Sequence, residues 1–307
     1  MKSLFLAAIV LITFTFSGLA QTPDEPGIIV LGVAQDGGYP HLGCEKECCN
    51  YAWENPSAKR FVASLALIDP SSGKWFLFEA TPDIREQLRL FREITNGEYN
   101  YLPDAIFISH AHIGHYTGLM EFGREVMNTS GIEVYTLPGM KHFLENNGPW
   151  SQLVDLNNIS IKEVQIDGIV SPSENISVKF FTVPHRDEFS ETAGFTINTD
   201  SKSYLFIPDI DKWDRWNISI EKMVEESDFA FIDGTFFNID ELPGRDMNQI
   251  PHPFIYETIK LFDNQPLSLR NKIYFIHLNH SNPLLRSSSD PHFINSGMNL
   301  AIQGVYY

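Results

Sequence analysis

Three histidines, His110, His112 and His115, follow directly on the apolar stretch Ala105-Ile106-Phe107-Ile108. A short apolar run bounded by polar residues reads as a buried strand, so Ser109-His110-Ala111-His112-Ile113-Gly114-His115 begins where that strand ends. Alternating residues of an extended segment share a side, which aims the rings of His110 and His112 together. Gly114 lets the chain turn and brings His115 alongside. Neutral imidazole is a ligand for zinc and suits iron as well. The whole chain carries ten histidines, and crowding three at one strand end points to a metal rather than to a polar loop. Such a site needs partners from elsewhere in the chain.

Those partners recur at the same structural position. Val183-Pro184 leads into His185, Phe206-Ile207-Pro208 into Asp209, and Tyr274-Phe275-Ile276 into His277. A lone polar residue after a strand is commonly a turn or cap residue; three of them after a triple-histidine run suggest one rim of a sheet dressed with ligands. The periodicity predicts strands at 28–33, 62–69, 75–79, 105–109, 133–137, 178–183, 194–198, 203–207, 229–232 and 272–278. Helices are expected from Pro82, capped by Thr81, and at 118–127, 139–146, 213–226 and 254–262. Two strand-rich halves, each closing with helices, imply an α/β fold of two mixed sheets packed face to face with helices on the outer faces, an αββα sandwich.

The N-terminus sets an expected address. Lys2 precedes an apolar run from Leu4 to Phe16 and then Ser17-Gly18-Leu19-Ala20, the pattern of a secretory signal. Residues 1–20 therefore read as a cleaved leader and 21–307 as one domain, exported to the periplasm or secreted, with no stable membrane insertion after cleavage. The net charge is -17, which argues against nucleic acid; the expected partner is a small-molecule substrate, and oligomeric state is not legible. The three cysteines cluster at Cys44, Cys48 and Cys49, with His41 nearby. Together these four residues could hold a structural zinc; the competing reading is one disulfide from Cys44 with a free thiol left over.

With these motifs in place, the chain resembles the metallo-β-lactamase-fold superfamily, whose pattern is H-x-H-x-D-H, a lone His, an Asp after a strand and a final His. The resemblance implies that His110, His112 and His185 hold a first metal, and that His115, Asp209 and His277 hold a second, with Asp209 bridging. Within the superfamily, Gly32-Val33-Ala34-Gln35-Asp36-Gly37-Gly38, the cysteine cluster, Thr81-Pro82-Asp83-Ile84-Arg85, Asp233-Gly234-Thr235 and His277-Leu278-Asn279-His280-Ser281-Asn282-Pro283 resemble the pyrroloquinoline quinone biosynthesis protein B branch. One departure falls inside the motif: Gly114 stands where the family has Asp. The second metal is thus expected to bind more weakly, and another carboxylate is needed to orient or deprotonate water. Candidates are Asp36, Asp187, Glu188, Asp211 and Asp233. Asp233, at a strand end before Gly234-Thr235, is preferred as a group that orients a ligand histidine or accepts a proton, with Asp209 and His280 as further catalytic candidates.

Arg85 and Arg186 are candidates to position an anionic group, although the preferred reading of Arg85 is half of an ion pair on its helix face. His142, His252 and His292 read as ordinary polar residues. The leading expectation is an exported hydrolase with one or two zinc ions, metal-activated water attacking an ester, amide or phosphodiester-type bond. The branch resemblance implies an alternative, an iron-dependent oxygenase. A third reading, a metal- or ligand-binding protein without catalysis, follows from the loss of Asp at position 114.

Overall fold

A computed structural model describes residues 24–307 apart from 243, 247 and 248; the expected leader at 1–20 lies outside the described residues. These form two mixed sheets. In the first, β1 (Gly27–Gly32), β2 (Ser64–Asp69) and β3 (Lys74–Phe78) run antiparallel, and β4 (Ala105–Phe107), β5 (Ile132–Thr136) and β6 (Ile159–Glu163) continue parallel to β3. The second repeats that plan. Here β7 (Ile169–Ser173), β8 (Ile176–Val183), β9 (Thr192–Asn198) and β10 (Ser203–Ile207) are antiparallel, followed by β11 (Phe229–Asp233), β12 (Ile273–Ile276) and β13 (Asn299–Leu300) in parallel.

The period-two alternation of the strands decides the layering. Phe76, Phe78 and Phe107 point inward and meet Phe180, Phe195 and Phe206 of the facing sheet. Their neighbours Trp75, Leu77 and Ile106 point outward and pack under the helix Ile84–Ile94. On the other side Leu205, Ile207 and Ile232 cover the helices Ile220–Glu225 and Ile255–Leu261. Strands buried on both faces explain the unbroken apolar runs at 105–108 and 204–207. Truncating one of the inward phenylalanines to Ala would cost about 3–5 kcal/mol.

The expected αββα sandwich is the architecture found, with local differences. The helix expected at 118–127 is a short 3-10 segment, Thr117–Phe122, because Gly118 N–H donates to Ala80 O at 2.9 Å and the segment lies against that backbone. The helix expected at 213–226 breaks into Trp213–Arg215 and Ile220–Glu225, the latter capped by Ser219. Pro82 and Thr81 precede the helix Ile84–Ile94 rather than entering it: Asp83 is the N-cap residue, and its N–H donates to Thr81 Oγ1. β6 and β7 carry no long apolar run; they are edge strands, and β7 tolerates Pro172 for that reason.

This topology places the ligand-type residues. The chain leaves β4, β8, β10 and β12 at one rim, immediately before His110, His185, Asp209 and His277. Across the rim, Ala193 N–H donates to Ser109 O at 3.1 Å. The end of β1 is drawn in by Leu278 N–H to Val33 O (2.8 Å) and Gln35 N–H to Leu278 O (2.9 Å), which brings Asp36 beside the residue after β12.

Candidate metal centre

Two groups of ligand atoms share one residue at this rim: His110, His112, His185 and Asp209 form one, and Asp36, His115, Asp209 and His277 the other. In the first, His110 Nε2 stands 2.8 Å from His112 Nδ1 and 3.4 Å from Asp209 Oδ2, and His185 Nε2 is 3.9 Å from Asp209 Oδ1. In the second, His115 Nε2 is 3.1 Å from Asp209 Oδ2 and 3.4 Å from Asp36 Oδ1. His277 Nε2 is 3.5 Å from Asp209 Oδ2 and 3.7 Å from Asp36 Oδ1. A tetrahedron of nitrogen and oxygen ligands around zinc has edges of roughly 3.3 Å. Like-oriented lone pairs held at that spacing fit a cation.

The atoms themselves supply a second test. Asp36 Oδ1, His115 Nδ1 and Nε2, His185 Nδ1 and Nε2, Asp209 Oδ1 and His277 Nε2 are buried without a hydrogen-bond partner. Leaving one such group unsatisfied costs about 1–3 kcal/mol, and several together are tolerated only where a cation takes their lone pairs. The chemistry of the donor set, imidazole and carboxylate, fits zinc or iron. Burial, reinforced by the neighbouring His115, holds His110 well below the usual histidine range, and burial pushes His185 down to about 4. Both rings are therefore neutral, the form that ligates. Burial raises Asp209, but the histidines ringed around it, which favour its anionic form electrostatically and by hydrogen bonding, outweigh burial and keep the carboxylate ionised.

Surrounding groups fix the rings. His110 Nδ1 shares a hydrogen bond with Ser109 Oγ at 2.8 Å, and His277 Nδ1 with Thr235 Oγ1 at 2.9 Å, leaving each Nε2 for the centre. Glu79, fully buried, lies 3.4 Å from His115 Nδ1 and also accepts from Ser109 N–H. His112 Nε2 faces Glu188 Oε2 at 2.9 Å on the exposed side, where Arg186 also reaches the ring. His277 has a left-handed φ of 64°, a conformation that turns the chain sharply after β12.

Several expectations change. Asp233, preferred from sequence as a group that orients a ligand histidine, lies one step out from Asp209 and forms a ligand group of its own with His252 and His277. Its Oδ1 accepts from Thr235 N–H and Oγ1, and its Oδ2 accepts from Ile210 N–H and lies 2.8 Å from His252 Nδ1. It braces the rim loops. His252, read from sequence as an ordinary polar residue, is buried between Asp233 and Asp209, 3.2 Å from the latter's Oδ1. Burial alone would lower its pKa, but the Asp233 carboxylate raises it. A histidine in the loop Ile250-Pro251-His252-Pro253 follows no strand, so the strand-end rule does not find it.

His280, expected at the catalytic rim, instead joins the cysteines: its Nδ1 is 3.3 Å from Cys49 Sγ and 3.9 Å from Cys48 Sγ. Cys44, Cys48, Cys49 and His280 form a separate ligand group away from the rim, and His41 is displaced from it. The His41 backbone N–H donates to Cys49 Sγ, and its ring lies over that of His280 with centroids 4.4 Å apart. Cys44 and Cys48 sulfurs are 3.8 Å apart and all three thiols are free, so the disulfide reading does not describe this structure. Burial pushes Cys49 up to about 12 and His280 down to about 4. Of the remaining candidates, Arg85 pairs with Glu86 on the surface, Asp187 accepts from Thr192, and Asp211 pairs with Arg215.

A family model described as a beta-lactamase superfamily domain matches residues 74–278. The chain belongs to that superfamily. Coenzyme PQQ synthesis protein B of Rhizobium meliloti (strain 1021) is 25% identical over 286 residues, covering 86% of this chain and 91% of its own. A zinc-bound PqqB from Methylobacterium extorquens superposes with a TM-score of 0.74 at 19% identity, over 91% of this chain and 99% of the other. A diphosphatase from the PhnP family superposes at 0.64 with 20% identity, over 92% and 96%. The chain thus has a PqqB-like metallo-β-lactamase fold. Among the described residues no helix is long and apolar enough to cross a membrane.

Proposed function

We propose that this protein is a metal-dependent hydrolase that cleaves an ester, amide or phosphodiester-type bond of a small molecule at the histidine rim. The observation that carries the reading is that two four-residue ligand groups share Asp209, the arrangement of a two-cation hydrolytic centre. Cations bound there would polarise the scissile oxygen and bring the pKa of water close to neutrality.

The chain's own residues do the rest. Asp233 and His252 hold Asp209 in place from behind. Arg186, half exposed over His112, is set to receive an anionic group on the open side. A cleft of about 730 Å³ continues from Gln35, next to Asp36, to Lys46, Arg245 and Arg286, with Glu47 and the half-buried Glu241 also in its lining. These cations favour a substrate that carries negative charge, in keeping with the superposition on a diphosphatase. Zinc at the rim and at the thiols is the assignment we favour, supported by the donor types and by the zinc-bound state of the PqqB neighbour. The leader-like residues 1–20 support export, for which the test is N-terminal sequencing of the mature product, expected to begin near Gln21.

A second reading is a role in cofactor synthesis like that for which the relatives are named, with iron and oxygen chemistry at His110, His112 and His185, whose donor types suit iron as well as zinc. Metal analysis of the purified protein, coupled to turnover of bis-p-nitrophenyl phosphate and p-nitrophenyl acetate, separates the two. Zinc with hydrolysis that is lost on chelation is expected. Stoichiometric iron, oxygen uptake and no hydrolysis would overturn the hydrolase.

A further inference from the structure

The glycine that breaks the superfamily motif has a neighbour that explains it. A β-carbon built on Gly114 would collide with Oδ1 of Asp36 and stand 2.7 Å from its α-carbon and 2.9 Å from its carboxyl carbon. Backbone and side chain of Asp36 both press on the spot, so rotating the Asp36 side chain would not clear it. Position 114 accepts no side chain while Asp36 is in place. The carboxylate that excludes one from position 114 is itself aimed at the same ligands, His115 Nε2 at 3.4 Å and His277 Nε2 at 3.7 Å.

From this geometry we propose that Asp36 replaces the missing motif aspartate: the glycine loop after β1 carries the carboxylate ligand of the second metal, and Gly114 is the space it requires. The two positions form an exchanged pair, one carboxylate supplied from either of two loops. Three features of the chain hold Asp36 there. Gln35 N–H donates to Leu278 O and Leu278 N–H to Val33 O, so the loop is stitched to the turn that carries His277. Ala34 bridges both Val62 and Leu278, fixing the loop between two strand ends. Gly38, at φ 68°, closes the turn with its N–H on Gln35 O at 2.7 Å, a conformation suited to glycine.

Asp36 Oδ1, His115 Nε2 and His277 Nε2 are buried and unpartnered together. Three converging acceptor-type atoms without donors are what a cation site leaves when its ligands are described alone. The second position therefore has four protein ligands, Asp36, His115, Asp209 and His277, rather than the three expected when Gly114 is read as a simple loss. Its affinity should then match that of the first position instead of falling below it.

The inference rests on the rim binding metal and not on which reaction follows. Its test is metal stoichiometry and affinity, with cobalt as the probe because thiolate charge-transfer absorption reports the Cys44 site separately from the rim. The wild type should bind two rim equivalents. Asp36→Asn, which keeps the shape and removes the charge, should keep one and weaken the other by about 100-fold. Gly114→Ala, whose β-carbon meets both the side chain and the α-carbon of Asp36, should displace that carboxylate and lose the second equivalent. Circular dichroism and Tm establish that each variant is folded. Two full-affinity rim equivalents in Asp36→Asn, or in a folded Gly114→Ala protein, would overturn the exchange. A wild type with no rim metal would remove the metal site and this inference with it.

Discussion

The thiol group draws three of its four ligands from residues 44–49, on one turn and the start of the helix Glu47–Glu54, whereas the rim gathers Asp36, His110, His112, His115, His185, Asp209 and His277 from the ends of five strands. His280 alone is contributed to the thiols from far along the chain, through the turn after β12. The thiol corner is thus local chemistry with one long-range anchor. The rim exists only when both sheets are in register, because a strand slipped by one residue would turn its ligand to the other face. Their couplings differ accordingly. Metal at the thiols ties the β1 loop region to the β12 turn, while metal at the rim ties one sheet to the other.

The largest separation between the two should come from Asp209→Asn. This residue is the one shared by both rim groups, so both rim cations should weaken by at least the roughly 100-fold that loss of even an outer metal partner costs. Hydrolysis should fall to background while the thiol metal stays. Metal content and turnover read it together; two retained rim metals would break the bridging assignment. His112→Ala should be milder, removing the first rim metal and leaving the second, since Asp36, His115, Asp209 and His277 do not include it. A loss of both equivalents in a folded His112→Ala protein would show that the two positions fill only as a unit.

Cys44→Ser attacks the other region. It should remove the one cation held by sulfur, leave turnover within about twofold, and lower Tm by about 5 °C through loss of a crosslink of ~1–2 kcal/mol. Mass spectrometry under native conditions measures the lost equivalent. A fall in rim metal content along with it would mean that the β12 turn transmits between the sites, since His277 and His280 lie on the same short loop.

Much of the rim was legible in sequence because strand ends are: His110, His112, His115, His185, Asp209 and His277 each follow an apolar run that period-two packing buries on both faces. The αββα layering was legible for the same reason. What was not legible came from loops. His252 follows no strand, and its place beside Asp209 depends on the path of the chain after β11. The placement of His280 turns on the left-handed backbone at His277, which no local pattern announces. Asp36 could be named as one carboxylate among several, but choosing it over Asp233 required knowing that β1 and β12 are stitched at their ends.

The smallest effect tests the cleft that joins the two regions. Glu241 accepts from Phe237 N–H and Ser281 Oγ, and burial pushes it up to about 7 from the ordinary carboxyl value of 4.5. The folded state therefore binds a proton that the unfolded chain has already released between about pH 4.5 and 7. Glu241 favours folding most at the acid end of that window, and its contribution declines as pH rises through 7, where the buried carboxylate must ionise. Other carboxylates and the histidines titrate across the same range, so the useful quantity is the stability difference between the wild type and Glu241→Gln. That difference should move in favour of the variant by on the order of 1 kcal/mol between pH 5 and 8, read from urea midpoints at each pH. A difference that stays flat would mean that the Lys46, Arg245 and Arg286 side of the cleft compensates the charge. The cleft would then present a permanently ionised carboxylate, rather than a neutral acid, to an anionic substrate.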